Sequence, residues 1–385
     1  RDSASAVALV TGQEDADKEA SSLDYAALAN FPGTLVFYMG VTTAGHWTQA
    51  LIAAGKSSAT PVAIVRRVSL PGQQRLDTTL GEVADVVKDQ HLRPPVVFIV
   101  GDVAANGPAW SWFERRPLFG QKVLVTRPAH QSDDLAQPLA EMGAAVLLQP
   151  VIKIYPPGVR SHIEPEFLDD LVKRLPLHGR WEHVDRALEL LDRQDWLVFS
   201  SSNGVRYLLS RLPAIGKDAR WLDNVKIAAI GSATADELAK FHLRPDLVPD
   251  EFRAEALAAA LAGGAAGKRF LLVRASRGRE VLADELTKAG GIVEQVVAYE
   301  SVDVESADPE IAAQMADGKI DWTTVTSSAI ARSLARLFGE SLRRTKLVSI
   351  SPVTSATLRE LGFEPAAEAK EYTMAGVVAA IEGHA

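Results

Sequence analysis

Three strand-loop-helix patterns occur twice in this chain, in the same order, and nothing else in it restricts the fold as much. VLVTRPAHQSDDLAQPLAEMGAAV from Val123 returns in outline as LLVRASRGREVLADELTKAGGIV from Leu271. DWLVFSSSNGVRYLLSRL from Asp195 matches DWTTVTSSAIARSLARLF from Asp321, and KIAAIGSATADELAKFHL from Lys226 matches KLVSISPVTSATLRELGF from Lys346. Any βα unit looks something like any other, but agreement of loop chemistry at all the units goes beyond that and marks a duplicated architecture. The second portion therefore reads as a two-lobed α/β protein, and two lobes leave a cleft between them.

Short apolar runs rich in Val, Leu and Ile alternate with amphipathic stretches along the whole chain, the pattern of βα units around parallel sheets. Strands are expected at 34–38, 62–66, 96–100, 122–126, 196–200, 226–230, 270–274, 323–326 and 346–350. A break at 106–120, reading NGPAWSWFERRPLFG, ends one series and starts another, and Gly107, Pro108, Pro117 and Gly120 make it a domain boundary. The stretch 158–194 is longer and more charged than other connections; its helical segments 166–174 and 182–193 read as a solvated outer face.

A length of 385 residues suggests two to three domains, and 47% hydrophobic with 23% charged residues is globular composition, not that of a disordered chain. No apolar run approaches the roughly 20 residues that span a bilayer. The absence of cysteine removes disulfides, thiolate nucleophiles, iron–sulfur clusters and Cys-type zinc sites. With 41 Lys and Arg against 49 Asp and Glu, the net charge of −8 argues against nucleic acid as a partner. The chain opens on Arg1, and 4–10 is too short and wrongly flanked for a signal peptide, so a fragment or processed product is the expectation.

In an open parallel sheet ligands bind outside the carboxyl ends of the strands, and the residues there are small and hydroxylic. Ser200, Ser201, Ser202 and Asn203 follow one run; Gly231, Ser232 and Thr234, then Thr326, Ser327 and Ser328, then Ser351 and Thr354 follow others. Helix capping alone accounts for any one of these. Four such loops on one cleft offer helix N-termini that hold carboxylates or phosphates without net positive charge. Arg127, Arg253, Arg274 and Arg277 add point charges near strand ends, so the implied ligand is a polyanion.

Several standard sites are missing. No G-x-G-x-x-G follows a strand and opens a helix, and GGAAGKR at Gly263 precedes a strand and has Arg269 where a P-loop needs Ser or Thr. His178 and His183 are five apart, wrong for one helical face, and no G-x-S-x-G elbow is present.

The motifs VLVTRP, DWLVFSSSNGV, IAAIGSATADEL, LLVRASRGREVLADEL, VVAYES, TSSAIARSL and SISPVTSATLRELGF together resemble uroporphyrinogen-III synthase, collinearly over about 119–385. RDSASAVALVTGQED, TLVFYMGV, TPVAIVRRVSLPGQQR and PPVVFIVGDVA resemble the carboxyl-terminal half of uroporphyrinogen-III C-methyltransferase. The resemblance implies a bifunctional methyltransferase and synthase whose methyltransferase lacks its amino-terminal half, with its activity lost in this chain. The implied fold is α/β: half of a tetrapyrrole methylase, then two flavodoxin-like doubly wound lobes joined by a two-stranded ribbon. Domains are expected at 1–112, a linker at 113–119, one lobe at 120–153 with 302–385, and the other at 157–297, with crossovers near 150–157 and 298–303.

That resemblance also implies chemistry. The synthase closes linear hydroxymethylbilane to a macrocycle with the last ring inverted, through loss of water and a spiro intermediate, and uses no cofactor. Closure without enzyme gives the uninverted isomer, so catalysis is positioning and stabilisation of a cationic azafulvene. Tyr299 matches the family's cleft tyrosine and is the acid candidate. Substrate-binding roles fall to Arg127, Ser201, Ser202, Gly231, Ser232, Thr234, Arg274, Ser327, Ser328, Ser351 and Thr354. S-adenosylmethionine is implied for the methyltransferase portion at Met39, Pro61, Ala63 and Thr79, although the family's Gly-Thr-Leu reads Thr78, Thr79, Leu80. No metal is implied. Partners are linear and cyclic tetrapyrroles, with no nucleic acid or membrane and a homodimer through the methyltransferase portion; the expected location is cytoplasmic, the product serving routes to sirohaem and cobalamin. The competing classes are a non-catalytic two-lobe anion or tetrapyrrole-binding protein and a doubly wound nucleotide enzyme.

Overall fold

In β2 (Thr34–Tyr38) Leu35 and Phe37 are fully buried while Tyr38 is exposed, the two-residue period of a strand with one covered face. The structure, a computed structural model, describes residues 5–13, 23–107, 111–158 and 181–384. Pro108 of the expected boundary and the expected helical segment 166–174 lie outside the described residues. Two compact units emerge: Arg1–Gln121 with Leu139–Ala145, and Lys122–Pro138 with Val146–Ala385.

The first unit holds β1 (Val7–Thr11), β2, β3 (Pro61–Arg66), β4 (Gln74–Thr79) and β5 (Val96–Val100) in the order β1-β2-β5-β3-β4, with α1 (Tyr25–Ala29), α2 (Ala44–Ala53) and α3 (Val83–Asp89). The helices bury Trp47, Leu51 and Val83 in one core with Phe37 and Phe98, where Trp47 stacks on Phe37 at 4.3 Å. The expectation of parallel βα units fails here: β1 and β2 are parallel, but β2–β5, β5–β3 and β3–β4 are antiparallel. The connection 67–73 between β3 and β4 is shorter than the dozen or so residues a parallel crossover needs, so that pair must fold back on itself.

The second unit is two sheets. One contains β6 (Lys122–Val125), β7 (Ala145–Leu148), β13 (Trp322–Val325), β14 (Lys346–Ser349) and β15 (Ala367–Glu368) in the order β15-β14-β13-β6-β7. Its helices are α4 (Asp133–Glu141), α10 (Pro309–Ala316), α11 (Ser328–Phe338), α12 (Pro352–Glu360) and α13 (Met374–Glu382). The other contains β8 (Ile152–Tyr155), β9 (Trp196–Phe199), β10 (Lys226–Ala229), β11 (Arg269–Ala275) and β12 (Ile292–Asp303) in the order β10-β9-β11-β12-β8. With it go α5 (Glu182–Glu189), α6 (Ser202–Leu209), α7 (Ser232–Lys240), α8 (Ala254–Ala262) and α9 (Val281–Lys288).

The repeated motifs occupy matching places in these two sheets: β14, β13 and β6 stand in one order, and β10, β9 and β11 in the same order in the other. Each lobe takes its members from both copies of the repeat, since Trp322 of β13 pairs with Val123 of β6 and Phe270 of β11 with Trp196 of β9. β12 links the lobes. Its first part lies parallel to β11, and Glu300 to Asp303 run antiparallel to β8, forming the ribbon. Among the described residues no helix is long and apolar enough to cross a membrane.

Candidate functional site between the two lobes

Both sheets reverse their strand order, and ligands in doubly wound folds sit at such reversals. In the first lobe the reversal is between β6 and β13; in the second it is between β9 and β11. A cavity of about 260 Å³ is lined from both, by Arg127, Thr326 and Ser327 on one side and Asn203, Ala275 and Arg277 on the other, with Tyr299 and Ser301 of β12. A larger cavity of about 570 Å³ shares Thr326 and Ser327 and adds Ser351 and Thr354 with Arg253 and Arg279.

A break in register aims Tyr299. Arg274 pairs with Val297 but Ala275 pairs with Tyr299, so Ala298 is the extra residue of a bulge, a device that re-aims a neighbouring side chain. The Tyr299 ring stacks on Tyr207 at 5.9 Å, and its hydroxyl lies 2.9 Å from Ser201 Oγ. Burial pushes its phenol above the usual value, against hydrogen bonds from Ser201 and Asn203 that favour ionisation. A buried phenol held protonated at neutral pH can give a proton; it is not a base.

Arg127 is a cation short of partners. Its side chain is 13% exposed, and its one ion pair among the described residues is at 3.5 Å to Asp134, which is 72% exposed. Burial pushes the guanidinium below its ordinary value, with Asp134 acting the other way. Such a charge is costly to bury and gains from an anion in the cavity.

Asp303, where the ribbon ends, ties the lobes. Arg277 Nη1 meets its carboxylate at 2.6 Å, while Ser333 of α11 donates to it and Arg336 stands 3.8 Å away. Burial pushes the carboxyl up, but the bonds from Ser333 and Arg277 and the charges of Arg277 and Arg336 outweigh it and hold Asp303 below the usual range. Its stabilising contribution is therefore complete above the ordinary carboxylate pKa of about 3.9 and is lost as pH falls through the lower folded value. The thermal midpoint gap between wild type and Asp303→Asn should be constant from about pH 7 to about pH 5 and close below about pH 4. A gap that stays constant to about pH 3 contradicts an ionised Asp303 as the tie.

The hydroxyl residues are caps first. Ser201, Ser327 and Ser351 accept from the backbone N–H of Gly204, Ile330 and Thr354, each cap contributing about 1 kcal/mol to its helix. Ser328 bonds Thr357 at 2.8 Å, and Thr354 is buried beside Ser351. Ser327, Ser328, Ser351 and Thr354 line the larger cavity. Ser201, Ser202, Gly231, Ser232 and Thr234 line neither cavity, and a Cβ on Gly231 would stand 2.8 Å from the Phe252 ring. Arg274 is placed elsewhere: its guanidinium meets Glu280 and Gln295, because successive strand residues face opposite ways and Ala275 takes the cavity side. Arg253 is paired with Glu251 at 2.6 Å.

In the first unit Pro61 and Thr79 are register partners, Ala63 is buried two residues on, and the Thr79 hydroxyl donates to Glu82 at 3.0 Å. Met39, exposed with φ of +53°, follows Tyr38, which stands level with Val65. Met39 and Pro61 are therefore offset by about 17 Å along the strands, and the four residues do not converge on one point.

Sequence reasoning assigned no role to Gln131, Ser301 or Asp303, and named Asn203 only as a loop residue and Arg277 only as a point charge near a strand end. Asn203 and Arg277 sit in loops the sequence had marked; Gln131 and Asp303 carry no local signal, since their partners are distant in the chain.

Comparison with known proteins accords with this geometry. The family described as HEM4, Uroporphyrinogen-III synthase HemD, matches residues 133–379. A protein of Ruminiclostridium josui named Porphyrin biosynthesis protein HemD is 27% identical over 380 residues, 98% of this chain and 69% of its own length. The uroporphyrinogen-III synthase of Synechococcus elongatus is 32% identical over 277 residues, 69% of this chain and 96% of its own length. The uroporphyrinogen-III C-methyltransferase of Bacillus subtilis is 33% identical over 150 residues, 39% of this chain but 31% of its own length.

Proposed function

The chain belongs to the uroporphyrinogen-III synthase family, and from that premise we propose that its interlobe cleft closes hydroxymethylbilane to uroporphyrinogen III with the last ring inverted. The observation that carries this is the cavity at both strand-order reversals, where a buried, protonated Tyr299 faces an under-partnered Arg127. Tyr299 donates its proton as the terminal hydroxyl leaves as water. The azafulvene cation that remains is attacked by the substituted carbon of the last ring, and after cleavage and reclosure the proton lost on rearomatisation returns to the phenolate. Arg127 and Arg277 hold carboxylates of the substrate, and the helix N-termini at Ser327 and Ser351 hold others. Fixing the chain ends is what selects the attacking carbon.

We also propose that 1–112 is a partial tetrapyrrole methylase, 120–153 with 302–385 one synthase lobe and 157–297 the other, joined through 113–119. S-adenosylmethionine would supply an electrophilic methyl group to such a methylase. Met39, Pro61, Ala63 and Thr79 are too dispersed to enclose it by themselves, so no methyl transfer is proposed for this chain alone. A homodimer through that portion and a cytoplasmic location stand as proposals on the family resemblance.

Consumption of hydroxymethylbilane tests the synthase proposal. The chain should speed its loss well beyond the spontaneous rate, to a product lighter by one water, and S-adenosylmethionine should add no mass. Loss at the spontaneous rate favours a binding protein, and a methylated product overturns the proposal for 1–112.

A further inference from the structure

Beside Tyr299 lies a hydrogen-bond chain that starts in the other lobe. Gln131 belongs to the 3₁₀ turn Ala129–Gln131 that follows β6, while Asn203 is in the first turn of α6. Gln131 Nε2 donates to Asn203 Oδ1 at 2.6 Å, across 72 positions of sequence. Asn203 is buried, and its side chain favours the ionised phenol of Tyr299, as a donor beside it would. All three line the smaller cavity.

The direction of the first bond sets the rest. With Oδ1 accepting from Gln131, the group Asn203 turns toward Tyr299 is its Nδ2, which has protons and no lone pair to offer. Asn203 therefore presents a donor toward Tyr299 Oη. Ser201 Oγ already accepts from Gly204 N–H at 3.1 Å, and its own proton is available to Tyr299 Oη at 2.9 Å. With Ser201 donating and the Asn203 amide turned the same way, Oη keeps its own proton for a third direction, toward the cavity. If Gln131 withdraws, the Asn203 amide is free to turn over, and Oδ1 then captures the phenol proton.

We propose that Gln131 and Asn203 are positioning residues: the bond between the lobes fixes the polarity of the chain and so points the Tyr299 proton at the substrate only when the lobes are together. This rests on the synthase reading, and it adds to it a catalytic role for the contact between the lobes. A cap or a packing contact at Asn203 would serve the fold equally well with either amide orientation; the polarity matters only to the proton.

Gln131→Met, which keeps the length and removes the donor, tests it in the full chain. Turnover of hydroxymethylbilane to the inverted isomer should fall about fivefold, the net worth of one hydrogen bond, with KM within about twofold. In a Tyr299→Phe background the same change should cost nothing further, since there is no proton left to point. The phenolate absorbance step assigned to Tyr299 by difference from Tyr299→Phe should move to higher pH in Gln131→Met. An equal loss in both backgrounds, or a raised KM with turnover intact, overturns the proposal. A wild type without synthase activity would sink the premise, while an unmoved phenolate step would sink the coupling separately.

Discussion

Tyr299→Phe should lower turnover to the inverted isomer by about 10- to 100-fold while KM changes little, and the uninverted product should rise. General acids contribute about 10²- to 10⁴-fold, and the expectation falls at or below the low end because this hydroxyl also leaves unaided. The ring stays stacked on Tyr207, so the fold persists. Loss of the hydroxyl leaves Ser201 short of one bond, a stability cost of about 1 kcal/mol. Substrate that the variant fails to turn over closes spontaneously, which is why the isomer ratio moves with the rate. Unchanged turnover and unchanged isomers would remove Tyr299 from the mechanism.

Arg127→Met should raise KM by about 10- to 100-fold, the worth of one or two charge-assisted hydrogen bonds to a carboxylate, without lowering thermal stability. The two effects separate because the guanidinium is buried and its partner is distant and solvated. Removing an under-compensated buried charge relieves a desolvation cost, so a methionine of similar length should be neutral or stabilising in the folded state. An ordinary structural salt bridge predicts the reverse, a lower melting temperature with KM unchanged. Competition by short dicarboxylates in wild type and their loss of effect in Arg127→Met would show the same site.

The elements built on runs of Val, Leu and Ile were legible: β2, β5, β9 and β14 lie where apolar periodicity places them, to within a residue or so. β4 was not, because QRLDTT has neither an apolar run nor strict alternation and exists as an edge strand only through its pairing with β3. The reach of β12 was also hidden. Its 12 residues serve two different sheet partners, and nothing local marks where one partner gives way to the other.

The repeat announced two lobes but not their membership. Successive copies suggest successive domains, whereas pairing of β13 with β6 over a gap of almost the whole second lobe is a tertiary choice. At the cavities, the loops after β11, β13 and β14 are among those the sequence had marked, whereas Gly231, Ser232 and Thr234 line neither cavity. Arg274 and Arg277 look interchangeable in RASRGR, yet strand alternation turns the first to Glu280 while the loop beyond carries the second to Ser301 and Asp303. Gln131 became visible only with its partner 72 positions away.

The isomer identity of the product tests the central claim most directly. Hydroxymethylbilane is incubated with increasing amounts of the chain, the products are oxidised, and the two uroporphyrin isomers are separated. The inverted isomer should rise from almost none without protein to nearly all of the product at saturating protein. A product that stays the uninverted isomer at every protein concentration would contradict cyclisation in the interlobe cleft, even if the chain binds tetrapyrroles tightly.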